Sequence, residues 1–227
     1  MIMEILKNWI IQTGLKGGSE LTEHYLQIPL KEEDIKKIRI GDLVYFSGEA
    51  FTCRSRLHRY AFDEKNMLPF STKDKNLLIH VGPVIIKEND KWKLVSFMPT
   101  SSIRFEKWGA KSIKEWGLRA IVGKTTMGRE TAAAMKENVC IHATPQCVSP
   151  NLWLDSIEIK DVYLFDELGT IEAAWQLKLK KLGPFLVDMD SEGNNYFNSI
   201  DTIIEENRKR VYRHLKIPED FKYTKLY

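Results

Sequence analysis

The sequence predicts a single domain of the α/β class with a mixed sheet and flanking helices. Apolar, strand-like runs alternate irregularly with helix-like segments along the 227 residues, a pattern typical of α/β or α+β proteins. Apolar residues make up 43% of the chain and charged residues 29%, as in ordinary globular proteins. The sequence shows no internal repeat and no low-complexity segment. A chain of this length can bury a sizeable core.

The first half of the chain predicts strands around two helices. "DLVYFSGEAFTC" favours a strand with a break at Gly48. "RSRLHRYAFDEK" has helical spacing, with Leu57, Ala61 and Phe62 on one side. "NLLIHVGPVII" and "KWKLVSFM" flank the polar "KENDK", which indicates a hairpin. "RFEKWGAKSIKEWG" then predicts a helix that Gly117 ends.

The second half predicts further strands and two helices. "LRAIVGK" favours a short strand that runs into "TTMGRETAAAMKEN", a loop followed by an alanine-rich helix. "VCIHATP" predicts another strand. "SIEIKDVYLFDELG", "AAWQLKLKKLG" and "PFLVDMDSEGN" predict three more strands separated by turn residues. "SIDTIIEENRKRVYRHL" predicts a closing helix.

Composition along the chain suggests three parts. We expect residues 1–22 to form an N-terminal extension, because an amphipathic opening is followed by the flexible "GLKGGSE". Residues 23–198 form the predicted domain. Residues 199–227 form the predicted C-terminal helix and tail.

Charge, hydropathy and cysteine content exclude several classes of protein. Thirty-four basic and thirty-one acidic residues give a net charge of +3, and we expect no nucleic-acid partner because no dense Lys/Arg block is present. The basic "ENRKRVYRHLK" is interpreted as a solvated helix face. No apolar run approaches the roughly 18 residues that a membrane span requires, and the start lacks the pattern of a secretory signal. Three cysteines without CxxC spacing favour a reducing compartment, the cytoplasm.

Two predicted turns share a design that suits an anion. In "SFMPTSSIRF" and "AIVGKTTMGRE" an apolar strand ends in a turn rich in Ser, Thr or Gly, and a helix follows. The start of a helix presents unpaired N–H groups and the positive end of the dipole. Arg104 adds a fork that matches a carboxylate, and Lys124 adds a point charge. The alternative is that these hydroxyls are ordinary N-caps. "GKTT" lacks the earlier glycine of a nucleotide-binding P-loop.

A third basic position lies in "FTCRSRLH". Arg54 follows a predicted strand, and His58 lies one helical turn later on the same face. A surface arginine and a structural histidine are the simpler interpretations, and the residues alone leave both alternatives open.

The order of these stretches resembles one family, the β subunit or C-terminal domain of class I iron–sulfur hydro-lyases, which include fumarate hydratase and L(+)-tartrate dehydratase. The resemblance runs from about Ile28 to Asn195 in the family order. The matching stretches are "IRIGDLVYFSGEAFTCR", "LPF", "IHVGPVI", "DKWKLVSFMPTSSIR", "LRAIVGKTTMG", "DELGTIEAAWQL" and "GPFLVDMDSEGNN".

The resemblance implies a fold like the swivelling β/β/α domain of aconitase, so residues 23–198 would be that domain. It also implies a partner α subunit, in a heterotetramer, that holds a [4Fe–4S] cluster through three cysteines and leaves one iron open to substrate. The β part would supply substrate-binding and proton-transfer groups. The substrate-binding residues expected from the motifs are Arg54, His58, Arg104 and Lys124, and the catalytic pair is Thr100 and Ser101, with Thr100 as the candidate base.

The cysteines of this chain and several departures from the family pattern qualify the resemblance. Cys53, Cys140 and Cys147 are not expected to bind metal. Ser55, Met98, Ser101 and Thr125 replace the usual aspartate, glycine, threonine and glycine, and "PQC" replaces a glycine-rich loop. Glycine replacements at close approaches can alter substrate choice.

Three functions are therefore compatible with the sequence. The first is a hydro-lyase subunit for a C4 dicarboxylate, with fumarate and malate as the first substrates and L-tartrate as the second. The second is a non-catalytic binding or assembly protein built on the same domain. The third is a stand-alone binder of small dicarboxylates.

Overall fold

A computed structural model of the chain describes residues 22–146, 149–218 and 221. The strands in this part are β1 (Glu23–Gln27), β2 (Leu43–Thr52), β3 (Leu77–Ile79), β4 (Val84–Glu88), β5 (Lys91–Ser96), β6 (Ala120–Val122), β7 (Ile141–Pro145), β8 (Ile157–Tyr163) and β9 (Ala174–Met189). The α-helices are α1 (Glu32–Ile35), α2 (Ser55–His58), α3 (Glu106–Trp116), α4 (Arg129–Asn138), α5 (Phe165–Leu168) and α6 (Tyr196–His214). A π-helical turn, Arg59–Asp63, extends α2, and the 3-10 turn Ser102–Phe105 precedes α3.

The main sheet has seven strands in the order β1-β2-β3-β6-β7-β9-β8, and β4 and β5 form a separate hairpin. Neighbours from β1 to β7 run parallel, whereas β9 is antiparallel to β7, β8 and β2. Because β9 pairs with both β7 and β2, the pairing closes into a ring. The predicted mixed α/β fold in one domain is confirmed. The carboxyl ends of β2, β3, β6 and β7 meet at one edge, the usual place for a site in such sheets.

Strand β9 differs from the prediction, which placed a turn at Gly183. The structure instead has one strand of 16 residues through this position. Gly183 has φ +153°, and a Cβ there would lie 2.7 Å from the carbonyl oxygen of Val44 on β2. This glycine therefore permits close approach of two strands at an irregular register and does not form a turn.

The run "NLLIHVGPVII" also divides differently from the prediction. Its first part joins the main sheet as β3, and only its end, β4, pairs with β5 in the predicted hairpin. The segment between them, residues 80–83, leaves the main sheet at the end of β3. Gly117 adopts φ +63° and ends α3 as predicted.

Two hydrophobic clusters fill the two sides of the sheet. Leu77 and Ile79 of β3 belong to one cluster, whereas Leu78 belongs to the other, as the alternation of side chains along a strand requires. The first cluster contains the fully buried Phe46, Phe97, Trp175 and Phe185. The second packs α3 and α4 onto the sheet through residues such as Trp116 and Met135. Helices α3 and α4 are thereby fixed beside the edge where β3 and β6 end.

The predicted N-terminal extension, residues 1–22, lies outside the described residues except for Thr22. The predicted C-terminal helix is present as α6, which starts at Tyr196 because the side chain of Asn195 accepts hydrogen bonds from the backbone N–H groups of Phe197 and Asn198. The domain boundaries at 22/23 and 198/199 stay predictions. Within the described part of the chain, every helix is too short or too polar to cross a bilayer.

Candidate functional site

The two predicted anion-binding turns lie side by side at the edge of the sheet. The backbone N–H of Lys124 donates to the carbonyl of Thr100 at 2.8 Å, and the N–H of Ser102 donates to the carbonyl of Lys124 at 2.9 Å. The N–H of Thr100 donates to the carbonyl of His80, beyond the end of β3, at 2.7 Å. Two segments that are distant in the sequence, those of His80 and Lys124, therefore hold the backbone of Thr100 in place.

Arg104 and Thr100 form one unit in this turn. The Nη2 group of Arg104 donates to the Oγ1 atom of Thr100 at 2.6 Å. The guanidinium also lies over the ring of Phe105, 5.6 Å from its centroid. Thr100 is half-buried, and Arg104 and Lys124 are exposed. A hydroxyl that accepts from a guanidinium has a neighbouring positive charge that favours its deprotonated form.

The simple N-cap interpretation of "TSS" does not describe this turn. Ser101 occupies the N-cap position of the 3-10 turn, yet no side-chain capping bond is present there within the described residues. The Thr100 hydroxyl accepts from Arg104, and the Ser102 hydroxyl contacts two histidine rings. All three hydroxyl residues therefore lie in a turn that is built by contacts with other segments.

The expectation for the second turn is wrong in one respect. The start of α4 was expected to offer N–H groups to an external anion, but the carboxylate of Glu106 on α3 already lies there. Its oxygens accept from the N–H of Gly128 at 2.6 Å and from the N–H and hydroxyl of Thr131 at 3.1 and 2.7 Å. The start of α4 beside Lys124 is therefore already occupied by a carboxylate of the chain itself.

Arg54 follows β2 at the same edge as the two turns. Its Nε lies 3.5 Å from Oε1 of Glu172, and its side chain is 22% exposed. A Cβ at Gly82 would lie 2.5 Å from Nη1 of Arg54, so the absence of a side chain at Gly82 makes room for the guanidinium. The other carboxylate oxygen of Glu172 accepts from the backbone N–H of Arg56 at 2.8 Å. Sequence reasoning missed Glu172, although it lies in the matched stretch "DELGTIEAAWQL". We call Arg54, Arg104 and Lys124 the cationic rim.

The structure places His58 beneath Arg54, fully buried among aromatic rings. Its ring stacks on Trp108 at a centroid distance of 5.5 Å and an angle of 7°. Its Nδ1 lies 3.1 Å from the carbonyl oxygen of Arg54 and 3.2 Å from Sγ of Cys53. Burial lowers the pKa of His58 to about 4, so the ring is neutral near pH 7. His58 thus supports the backbone of Arg54 from inside the core.

A chain of buried polar side chains lies below the first turn. The Ser102 hydroxyl lies 2.9 Å from Nδ1 of His80 and 2.8 Å from Nε2 of His142. Nδ1 of His142 lies 2.5 Å from Oδ1 of Asp188. All four side chains are buried, with exposures of 0 to 1%. Burial lowers the pKa of His80 well below its usual value, and electrostatic interactions with the side chains of His58, His142 and Arg104 lower it further.

Sequence reasoning considered Ser102 only as one of three hydroxyls of the turn and did not find His80, His142 or Asp188, but a signal was present. His80 and His142 each interrupt an apolar strand-like run, and Asp188 does so in "FLVDMD". Ionisable side chains in runs that must be buried need polar partners. The sequence does not show which partners they choose, because the pairing depends on strand order.

The two described cysteines lie in the second hydrophobic cluster. Burial raises the pKa of the Cys53 thiol well above its usual range and that of Cys140 to about 12. Cys147 lies outside the described residues. Among the described residues no group of three or more His, Cys, Asp or Glu side chains is arranged to hold a metal ion.

Comparison with known proteins gives a consistent result. The family model described as Fumarase C-terminus matches residues 7–200. The L(+)-tartrate dehydratase subunit beta of Escherichia coli K12 is 33% identical over 184 residues, 81% of this chain and 88% of the relative. A Methanocaldococcus jannaschii protein, provisionally named L(+)-tartrate dehydratase subunit beta, is 34% identical over 82% of this chain and 93% of its own length. A Geobacillus stearothermophilus protein, provisionally named class I fumarate hydratase, is 33% identical over 78% of this chain, which corresponds to 34% of that protein.

Proposed function

Because the chain belongs to the Fumarase C-terminus family, we propose that it is the β subunit of a hydro-lyase that reversibly hydrates a C4 dicarboxylate, with fumarate and malate as the first substrates. The observation that carries this proposal is the unit formed by Thr100, Arg104 and Lys124 at the carboxyl ends of the parallel strands. Two cations and a hydroxyl are joined there by backbone and side-chain hydrogen bonds.

The cationic rim binds the substrate carboxylates. Arg104 presents a planar fork that matches a carboxylate, and Lys124 lies on the neighbouring turn. Arg54 adds a third cation at the end of β2, with His58 supporting its carbonyl. Hydration across a C=C bond passes through a carbanion-like state that concentrates negative charge on one carboxylate. Fixed cations at that carboxylate stabilise the transition state more than the ground state.

Thr100 moves the proton. A threonine hydroxyl is a weak base, but Arg104 donates to its oxygen at 2.6 Å and so favours the alkoxide form. The bond also orients the hydroxyl, because Oγ1 is fixed by the guanidinium while the backbone is fixed by His80 and Lys124. Ser101 follows directly and completes the polar wall of the turn.

We infer that an α subunit completes the site with a [4Fe–4S] cluster, in a heterotetramer. When bound, the cluster supplies an open iron as the Lewis acid for the substrate hydroxyl. The buried thiols of Cys53 and Cys140 support placing the cluster on the partner. The name "subunit beta" of the E. coli relative supports the existence of a partner subunit. We further infer that the domain is of the swivelling β/β/α type. We also infer a cytoplasmic location, because the odd number of cysteines favours a reducing compartment.

A second substrate is favoured by the comparisons. The E. coli and M. jannaschii relatives carry the name L(+)-tartrate dehydratase. L-tartrate is also a C4 dicarboxylate, so the same cations would bind it. Tartrate carries hydroxyls on both central carbons, so residues near the turn would decide between the substrates. Thr125, where the family has glycine, is the first such position.

The proposal is tested by producing the chain anaerobically with its cluster-bearing partner and assaying fumarate, L-malate and both tartrate enantiomers. We expect turnover of at least one C4 substrate, and loss of turnover in Arg104→Ala with the complex intact. A cluster-loaded complex that turns over none of the four would refute the hydro-lyase proposal. A complex whose activity survives both Arg104→Ala and Lys124→Ala would favour a non-catalytic binding or assembly role. Dicarboxylate binding by the isolated chain, measured by thermal shift, would support the third alternative.

A further inference from the structure

The buried polar chain under the first turn has the contacts of a Ser-His-Asp triad, yet it cannot act as one. Ser102 contacts His142, and His142 contacts Asp188, as in enzymes that transfer acyl groups. The Ser102 side chain, however, is fully buried. A Cβ at Gly123 would lie 1.9 Å from its oxygen, so the strand end of β6 lies directly against the hydroxyl. Its oxygen is also shared with His80, which leaves no room for a substrate carbonyl.

The hydrogen-bond donors and acceptors of these four buried side chains can be arranged in one consistent order. A carboxylate only accepts hydrogen bonds, so Nδ1–H of His142 donates to Asp188. Nε2 of His142 is then an acceptor and receives the Ser102 hydroxyl proton. The Ser102 oxygen in turn receives Nδ1–H of His80. Every side-chain N–H and O–H group of these four residues thereby has a partner.

The atoms left without partners support this order. Nε2 of His80 and Oδ2 of Asp188 are buried and make no hydrogen bond within the described part of the chain. In the order given above both are acceptors. In the reverse order Nε2 of His80 would carry a proton and be a buried, unpaired donor. Orphaned buried N–H groups are rarer than under-satisfied acceptors, so the arrangement favours the first order.

The four buried side chains also connect to Thr100, the residue assigned to proton transfer. His80 holds the backbone of Thr100 through its own carbonyl oxygen, and it holds Ser102, two residues further on, through its ring. Thr100 is therefore clamped between two bonds from one residue. Ser102 connects this clamp to His142 and Asp188 on β7 and β9, which are rigid central strands of the ring.

We propose that Asp188, His142, Ser102 and His80 form a buried positioning relay that fixes Thr100 for proton transfer, an inference that rests on the proposed hydro-lyase function. These four are positioning residues, since the relay acts through the turn that holds Thr100. A fixed donor order gives the relay one stable arrangement. Misplacement of a reacting group by about 1 Å can lower a rate on the order of a hundredfold, so this arrangement matters to the proposed reaction.

The kinetic test uses Ser102→Ala and Asp188→Asn in the assembled, cluster-loaded complex. Ser102→Ala removes both bonds of the Ser102 hydroxyl, to His80 and to His142. Asp188→Asn keeps the shape but can donate to His142 and so permits the wrong tautomer. We expect kcat to fall about tenfold to a hundredfold, with KM changing less than about twofold. The control is Ser112→Ala, a fully buried serine of α3 whose hydroxyl donates to the carbonyl of Gly109, and it should retain kcat.

A spectroscopic test reads the donor order without any activity. Five histidines are present, and nitrogen-15 NMR of the labelled full chain distinguishes their tautomers. We expect His80 and His142 to carry their protons on Nδ1 in the wild type. In Asp188→Asn the signal of His142 should change, whereas Ser112→Ala should leave both unchanged.

The outcomes separate this inference from the proposed function. A wild-type complex that turns over no C4 dicarboxylate refutes the hydro-lyase proposal and with it the catalytic purpose of the relay, while the NMR result still decides the donor order. An active wild type whose kcat is unchanged in folded Ser102→Ala and Asp188→Asn variants overturns the relay. Protons on Nε2 of His80 and His142 in the wild type also overturn it.

Discussion

The cationic rim and the buried relay each contact Thr100, the rim through Arg104 and Lys124 and the relay through His80, and they are built in opposite ways. The rim consists of Arg104 and Lys124, which are exposed, and Arg54, whose nearest carboxylate is 3.5 Å away. The relay has exposures of 0 to 1% and contact distances of 2.5 to 2.9 Å. The rim carries positive charge near the surface, whereas the relay is buried and closely hydrogen-bonded.

This difference predicts a division of labour. Charges act over several ångströms and are weakened by salt, so we expect the rim to provide affinity and orientation for an anion. Hydrogen bonds lose strength steeply as they bend, so the relay provides geometry. Changes in the rim should therefore affect both binding and rate, and changes in the relay should affect mainly the rate or the fold.

The largest effect is expected at the rim, from Arg104→Ala. The variant loses the charge-assisted bonds to the substrate and to Thr100, each worth roughly 1.5–3 kcal/mol. We expect kcat/KM of the complex to fall at least about a hundredfold, and Arg104→Lys to restore little because a point charge cannot form the fork. Steady-state kinetics give the ratio. The control is Arg39→Ala, which removes an exposed arginine paired with Glu192. An equal loss of kcat/KM in this variant would show that the effect is not specific to the cationic rim.

The relay is broken most directly at Gly123. A Cβ at this position would lie 1.9 Å from the Ser102 hydroxyl, so Gly123→Ala must displace it. We expect a loss of about 3 kcal/mol in the free energy of unfolding, measured with denaturant. Gly117→Ala is the comparison, because its Cβ would meet nothing within 4 Å and only its φ of +63° is strained, at about 1–2 kcal/mol. Similar losses in both variants would show that the relay is not tightly packed.

The neutrality of the buried region is tested by pH. The folded state keeps His58 neutral down to a pKa of about 4, whereas the unfolded chain binds this proton near pH 6.5. Between these values the unfolded state holds more protons, so stability falls as the pH falls. In His58→Phe the slope should decrease by about 1.4 kcal/mol per pH unit. Denaturant unfolding between pH 4.5 and 6.5 measures it, and His214→Gln, exposed on α6, should keep the wild-type slope.

The smallest effect is expected where the second turn meets α4. Glu106 accepts three hydrogen bonds at the start of that helix, so Glu106→Ala should cost about 1–2 kcal/mol of unfolding free energy. Glu130→Ala changes an exposed acid in the same first turn and should cost less. Inorganic phosphate serves as a probe anion for the start of α4, and we expect it to raise the unfolding free energy of Glu106→Ala more than that of the wild type. An equal increase in both would show that the helix start is free in the wild type, contrary to the structure.

The rim could be predicted from the sequence because each cation lies close behind a recognisable strand or turn. Arg54 follows "AFTC", Arg104 follows "PTSS" and Lys124 follows "AIVG". Arg54 and Lys124 follow strands of the parallel part of the sheet, and the carboxyl ends of such strands meet at one edge. Arg104 follows the separate β4–β5 hairpin, and its turn reaches that edge through the backbone contacts of Thr100 with His80 and Lys124, which the fold class alone does not predict.

The relay and the acidic partners could not be predicted in the same way. His142 meets Asp188 because β7 pairs with β9, and this pairing depends on a strand whose continuity through Gly183 the sequence did not reveal. Glu106 caps α4 across two packed helices, and Glu172 reaches Arg54 from a different part of the chain. Such contacts are set by tertiary packing, which local patterns do not encode.

The central claim is that the rim forms one carboxylate-binding surface around Thr100. A crystal structure of the assembled complex with bound L-malate tests it most directly. We expect substrate carboxylate oxygens within about 3 Å of the guanidinium of Arg104 and the ammonium of Lys124, with the Thr100 hydroxyl facing a substrate carbon. Malate bound with both carboxylates away from all three rim cations would contradict the account.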